Sequence, residues 1–136
     1  MDKYILDMHL TSSNLFAYIS FWDRDIQDYR IGQLLFDTGA SVTTVSKNAL
    51  SDLGYDVDSG KAQKIITASG VAFVNEVPID KIQLGGCVLE NVKVYAHSFP
   101  EDSFTSGVIG LNIIAQFDVN MLFGKKIIEL SRLDTC

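Results

Sequence analysis

The sequence predicts an all-β fold, a barrel or sandwich carrying one or two short helices. Short runs of β-branched and aromatic residues recur along the chain, and turn residues separate them at close intervals. Helical periodicity is confined to two brief stretches. No internal repeat or low-complexity segment interrupts the pattern.

The elements follow in order. Leu15 to Trp22 is aromatic and β-branched enough for a strand, Asp23-Arg24-Asp25 makes a turn, and Tyr29 to Phe36 returns as a second strand. Further strands are expected at Val42 to Val45, Gln63 to Thr67, Val71 to Val77, Ile79 to Leu84 and Val88 to Tyr95, with Gly85-Gly86 as a tight turn. One helix spans Ser46 to Leu53, opened by a capping serine and closed by Gly54 at the C′ position. A second runs from Leu111 to Phe117, where Leu111, Ile114 and Ala115 share the i, i+3, i+4 spacing of a buried face. Val119 to Phe123, a Gly124-Lys125 turn and Lys126 to Leu130 close the chain as a hairpin.

Composition narrows the function classes. The 136 residues fit a single domain, 1–136, and 47% hydrophobic against 21% charged residues supplies a sizeable core. A net charge of −6, with Lys and Arg scattered rather than clustered, argues against a nucleic-acid partner. The start, Met1-Asp2-Lys3-Tyr4, lacks a basic region followed by an apolar one, so no signal peptide is read. No apolar run approaches the roughly 20 residues that span a bilayer, so no membrane partner is expected. Cys87 and Cys136 stand far apart and read as reduced thiols, consistent with a cytoplasmic protein.

Chemistry concentrates in Leu34-Leu35-Phe36-Asp37-Thr38-Gly39-Ala40-Ser41. A hydrophobic strand runs straight into Asp-Thr-Gly, which places an acid where the chain must turn. Gly39 lets the peptide approach a neighbour or substrate closely, and the Thr38 hydroxyl can lock the turn. An acid held on so rigid a loop suits positioned acid/base work. Taken alone, the segment also reads as an ordinary turn. A second segment, Val108-Ile109-Gly110-Leu111-Asn112, places two β-branched residues before a glycine and then opens a helix.

Together, Asp37-Thr38-Gly39-Ala40-Ser41 and Val108-Ile109-Gly110 resemble the paired signature of the retropepsin family of aspartic peptidases. The resemblance covers roughly Leu15 to Leu130 and implies an acid-protease barrel. It makes Asp37 the catalytic carboxylate, with Thr38, Gly39 and Ala40 supporting its loop. Ile109 and Gly110 become the buttress that threads beneath that loop. The segment Ile65 to Phe73 sits where the family places its flap, with Ala68, Ser69 and Gly70 at the substrate-binding tip. Leu111 stands where retroviral members carry Arg, so Leu111-Asn112 and the terminal hairpin are closer to the cellular and bacterial versions.

This chemistry needs two carboxylates flanking one water, and the chain carries a single Asp-Thr-Gly. The resemblance therefore implies a C2 homodimer that pairs Asp37 with its symmetry mate. The implied activity is endopeptidase cleavage of a peptide or protein bound in extended form, with no cofactor. The rival readings are a catalytically silent peptide-binding or dimerisation module on the same fold, and a purely structural barrel. Ala40 cannot donate a hydrogen bond to an ionised dyad, so a mildly acidic activity optimum is expected.

Other residues read more plainly. His9 and His97 have no partners at ligand spacing, so no metal site is expected. Asp23, Asp25 and Asp28 lack the glycine and distal glutamate of a calcium loop and read as a solvated hairpin. Trp22 reads as core or interface packing.

Overall fold

A computed structural model describes residues 2–67, 70–98 and 106–134. Among the described residues, ten strands and two short helices follow one another. They are β1 (Lys3–Leu10), β2 (Leu15–Asp23), β3 (Asp28–Phe36), β4 (Thr44–Ser46), α1 (Lys47–Asp52), β5 (Ala62–Thr67), β6 (Gly70–Leu84), β7 (Cys87–His97), β8 (Gly107–Ile109), α2 (Leu111–Ile114), β9 (Phe117–Leu122) and β10 (Ile127–Arg132).

Six strands close into a barrel in the order β2-β3-β8-β4-β7-β6, and β6 returns to β2 through Ser20↔Gln83 and Phe21↔Ile82. The alternation that builds it is explicit in β2, where Ala17, Ile19 and Phe21 point inward. Leu34, Ile79, Ile82, Val94 and Ile109 fill the same interior. Burying each such side chain contributes on the order of 1.5–3 kcal/mol.

A smaller sheet flanks the barrel. Its entry strand, β1, is absent from the sequence expectations. It pairs with β2 through Met8 to Leu10 and with β10 through Lys3 to Asp7, and β10 pairs in turn with β9. Leu6 and Met8 are buried, but Ile5 on the opposite face is half exposed, so a third apolar residue blurs the alternation.

Other boundaries moved as well. β6 runs unbroken through Pro78, where two strands were expected. Around Pro78 the strand pairs with β7 on one side, while its partners on the other side, β5 and β2, reach only Asn75 and Ile82. A missing N–H there breaks no ladder on the open side. The second helix is one turn, Leu111–Ile114, and Phe117 already belongs to β9. By contrast, α1 keeps its expected form. Ser46 caps it by accepting the Ala49 N–H, and Gly54 follows at φ +89°. Gly85 and Gly86 have φ +57° and +105°, the pair of positive values that a tight hairpin turn demands.

The β2–β3 turn is the expected hairpin, with Arg24 to Asp28 exposed, but its first acid departs from the solvated reading. Asp23 is only 1% exposed and accepts the N–H groups of Asp25 and Ile26 at 2.8 and 3.2 Å. Burial alone would raise its pKa, but those hydrogen bonds, with Arg30 at 3.4 Å, hold the carboxyl below its usual range. Next to it Arg24 makes a two-pronged pair with Asp80 at 2.9 and 3.0 Å and lies over the Tyr55 ring at 4.4 Å. The Tyr55 hydroxyl donates to the Trp22 carbonyl at 2.8 Å. Trp22 itself lies opposite the core-facing residues of β2, half buried, edge-on to Tyr29 and beneath the Lys81 ammonium.

Candidate active site

Strand β3 delivers the acid. Leu34 and Phe36 face the core, so the alternation sends Leu35 and Asp37 to the opposite face. The chain turns immediately afterwards: the Ala40 N–H donates to the Asp37 carbonyl at 3.2 Å, and the Gly39 N–H donates to Asp37 Oδ1 at 2.8 Å. A Cβ at Gly39 would lie 3.1 Å from that same oxygen, so glycine leaves the carboxylate room to accept its own loop's amide. Asp37 is half buried, while Thr38 and Gly39 are exposed at the tip of the turn.

The second motif lies directly against the first. Strand β8 runs parallel to the end of β3, with Leu35↔Val108 and Phe36↔Ile109 in register. The Asp37 N–H donates to the Ile109 carbonyl at 3.1 Å, and the Leu111 N–H donates to the Ala40 carbonyl at 2.8 Å. Both ends of the Asp37–Ala40 turn are therefore tied to the residues flanking Gly110. A Cβ at Gly110 would lie 2.3 Å from the Val42 carbonyl oxygen and 2.8 Å from that of Ala40, which only glycine avoids. Ile109 is fully buried.

The β5–β6 hairpin occupies the expected flap segment. Its pairing runs from Ala62↔Asn75 to Thr67↔Gly70. Gly70 is exposed and opens β6 at φ +122°, a conformation that disfavours any side chain. Ala68 and Ser69 lie outside the described residues. Ile66, Val71 and Phe73 occupy the exposed face of this hairpin, Ile66 at 86% and Phe73 at 74%.

With this geometry in place, the comparisons are direct. Residues 25–113, well over half the chain, match the family described as aspartyl protease. The chain belongs to the aspartyl protease family. Its fold is retropepsin-like: a solved retropepsin-like aspartic protease from Rickettsia conorii superimposes with a TM-score of 0.66, covering 95% of this chain and 89% of that one at 17% identity. None of the curated proteins matches the sequence. No helix among the described residues is long and apolar enough to cross a membrane.

As an aspartyl-protease family member, the chain contains site features that sequence reasoning passed over. Leu35 and Val108 are paired across β3 and β8, half buried, and share the face of Asp37. Thr43 is a buried hydroxyl behind the loop, and Asn112 reaches it from the start of α2 at 2.7 Å. The sequence signal for Leu35 and Val108 is available in hindsight, as the odd members of two alternating runs. Thr43 carries no local signal, and Asn112, although it stands in the second motif, gives no sign of its partner, because their meeting joins residues 69 positions apart.

Proposed function

We propose that this chain is an aspartic endopeptidase whose active unit is a C2 homodimer. The observation that carries the reading is the fixed Asp37. One carboxylate stands at a strand end, its oxygen held by the Gly39 N–H and its loop braced by Gly110, with Thr38 and Gly39 exposed beside it. A symmetry mate supplies the second carboxylate. Two such groups about 3 Å apart share one proton, because like charges that close cannot both ionise.

The ionised member takes a proton from a water held between them, and that water attacks the scissile carbonyl carbon. The protonated member donates to the carbonyl oxygen, giving a tetrahedral diol. Collapse breaks the C–N bond as a proton passes to the leaving amine, releasing one acid and one amine product. The reaction consumes one water and calls for no cofactor. Leu35 and Val108 are half-buried apolar residues on the face of Asp37, which supports an apolar substrate residue flanking the scissile bond. The β5–β6 hairpin closes over an extended substrate, with Gly70 at its tip. A cytoplasmic setting belongs to the same proposal.

The test is mass-spectrometric cleavage of a diverse peptide library between pH 4 and pH 7, comparing wild type with Asp37→Asn. Cleavage lost in the variant supports the dyad and yields the specificity. A dimeric wild type that cleaves nothing favours a silent peptide-binding module, and cleavage surviving in Asp37→Asn removes Asp37 from the reaction.

A further inference from the structure

Behind the catalytic loop, Thr43 makes two hydrogen bonds that have a shared consequence. Its hydroxyl is fully buried, accepts the Gly110 N–H at 3.0 Å and donates to Asn112 Oδ1 at 2.7 Å. The direction is set from outside. The Lys93 carbonyl can only accept, so Asn112 turns its amide nitrogen towards it at 3.1 Å and its oxygen towards Thr43. Thr43 must then donate to that oxygen, which leaves a lone pair for Gly110.

The Gly110 N–H and the Ile109 carbonyl belong to one planar peptide unit, and in a trans peptide they point in opposite directions. Thr43 grips the N–H end. The Asp37 N–H grips the carbonyl end at 3.1 Å. A tilt of that plane about its chain axis moves both ends together, so the side chain that holds one end sets where the other can anchor Asp37. A valine would fill the same volume as Thr43 and leave the Gly110 N–H without this acceptor.

We propose that Thr43, oriented by Asn112, is a positioning residue: it fixes the tilt of the Ile109–Gly110 peptide and through it the backbone of Asp37. The inference rests on the reading of Asp37 as the catalytic carboxylate. It adds to that reading a reason for a fully buried hydroxyl behind the loop, joined to the exposed Asn112. Misplacing a reacting group by about 1 Å can cost on the order of a hundredfold in rate, so the expected defect lies in turnover rather than in binding.

The test compares Thr43→Val, Thr43→Ser and Asn112→Ala with wild type on the best peptide from the library, with Asp37→Asn as control. Hydrogen exchange of individual amides is measured in parallel on the same dimeric proteins. Thr43→Val should lower kcat about tenfold or more with KM changed less than about twofold, and Thr43→Ser should restore most of the loss. In Thr43→Val and Asn112→Ala, exchange at the Asp37, Ala40 and Leu111 amides should quicken, while β2 amides stay protected. Unchanged kcat with unchanged exchange at Asp37 overturns the proposal. Exchange that quickens throughout the barrel overturns it too, since that is simple destabilisation. If wild type cleaves nothing, the peptidase reading fails by itself, and the exchange at Asp37 still decides whether Thr43 holds the loop.

Discussion

Gly110 packs against Val42 so closely that a Cβ on the glycine would lie 2.3 Å from the Val42 carbonyl oxygen. The contact is backbone on backbone, so no side-chain rotation relieves it. Gly110→Ala should therefore push the Asp37 loop away from β8. Overpacking of this kind typically costs about 1–3 kcal/mol. Thermal unfolding should drop by several degrees, on the order of 4 °C per kcal/mol, with turnover lost more completely than stability. A variant that melts and cleaves like wild type would show that the loop does not depend on this contact.

The proposed dyad, shared between two copies, would make activity depend on pairing. Mixing wild type with a ninefold excess of Asp37→Asn, after subunit exchange, leaves about a tenth of the wild-type chains paired with one another. Activity per wild-type chain should fall to about that tenth. A chain that carries its whole site alone would keep full activity in the mixture.

Leu35 and Val108 pair on the strand face that carries Asp37, and Val108 is the smaller of the two. Val108→Ala opens space on that face and should favour peptides with a bulkier apolar residue at the scissile bond. A methylene in such a pocket is worth roughly tenfold or more in kcat/KM. The check is the ratio of kcat/KM for paired peptides differing only at that residue. An unmoved ratio removes Val108 from the substrate contact.

Ala40 follows the Asp-Thr-Gly and has no hydroxyl to offer an ionised dyad. Peptidase activity should therefore peak at mildly acidic pH, and Ala40→Ser should extend activity to lower pH. A wild-type optimum below about pH 3, well under ordinary carboxylate values, contradicts the argument.

Acid should loosen the corner where β2, β3 and β6 meet. The hydrogen bond from Arg24 holds the Asp80 carboxyl below its usual range, and its own loop amides do the same for Asp23. A carboxyl lowered in the folded state stabilises above its unfolded pKa of about 3.9 and loses that contribution as pH falls through the folded value. Asp80→Asn should thus be less stable than wild type at pH 7 and nearly equal to it near pH 3. The Arg24–Asp80 pair is about two-fifths exposed, so the difference at pH 7 should be only ~0.5 kcal/mol. Urea unfolding at the two pH values measures it, and an equal gap at both would sink the assignment.

Much of the site is legible residue by residue. An acid after a hydrophobic strand, a glycine where the carboxylate meets its own loop, and a β-branched pair before a second glycine are local demands, and each leaves a mark in composition. The capped α1 and the Gly85-Gly86 turn are legible for the same reason. Backbone geometry at those points admits few residue types.

What escaped a reading of the chain depends on partners far away in sequence. Strand β1 becomes a strand because β2 and β10 take its two halves. Pro78 stays within β6 because the strand is open on one side there. Asp23 is buried because amides of its own turn replace water around the carboxylate. Thr43 looks unremarkable in sequence, and the partner of Asn112 cannot be read from the motif that holds it; the two meet only where the barrel sets them 2.7 Å apart. Local propensity names the acid and the glycines beside it; closure of the barrel chooses which polar groups hold them still.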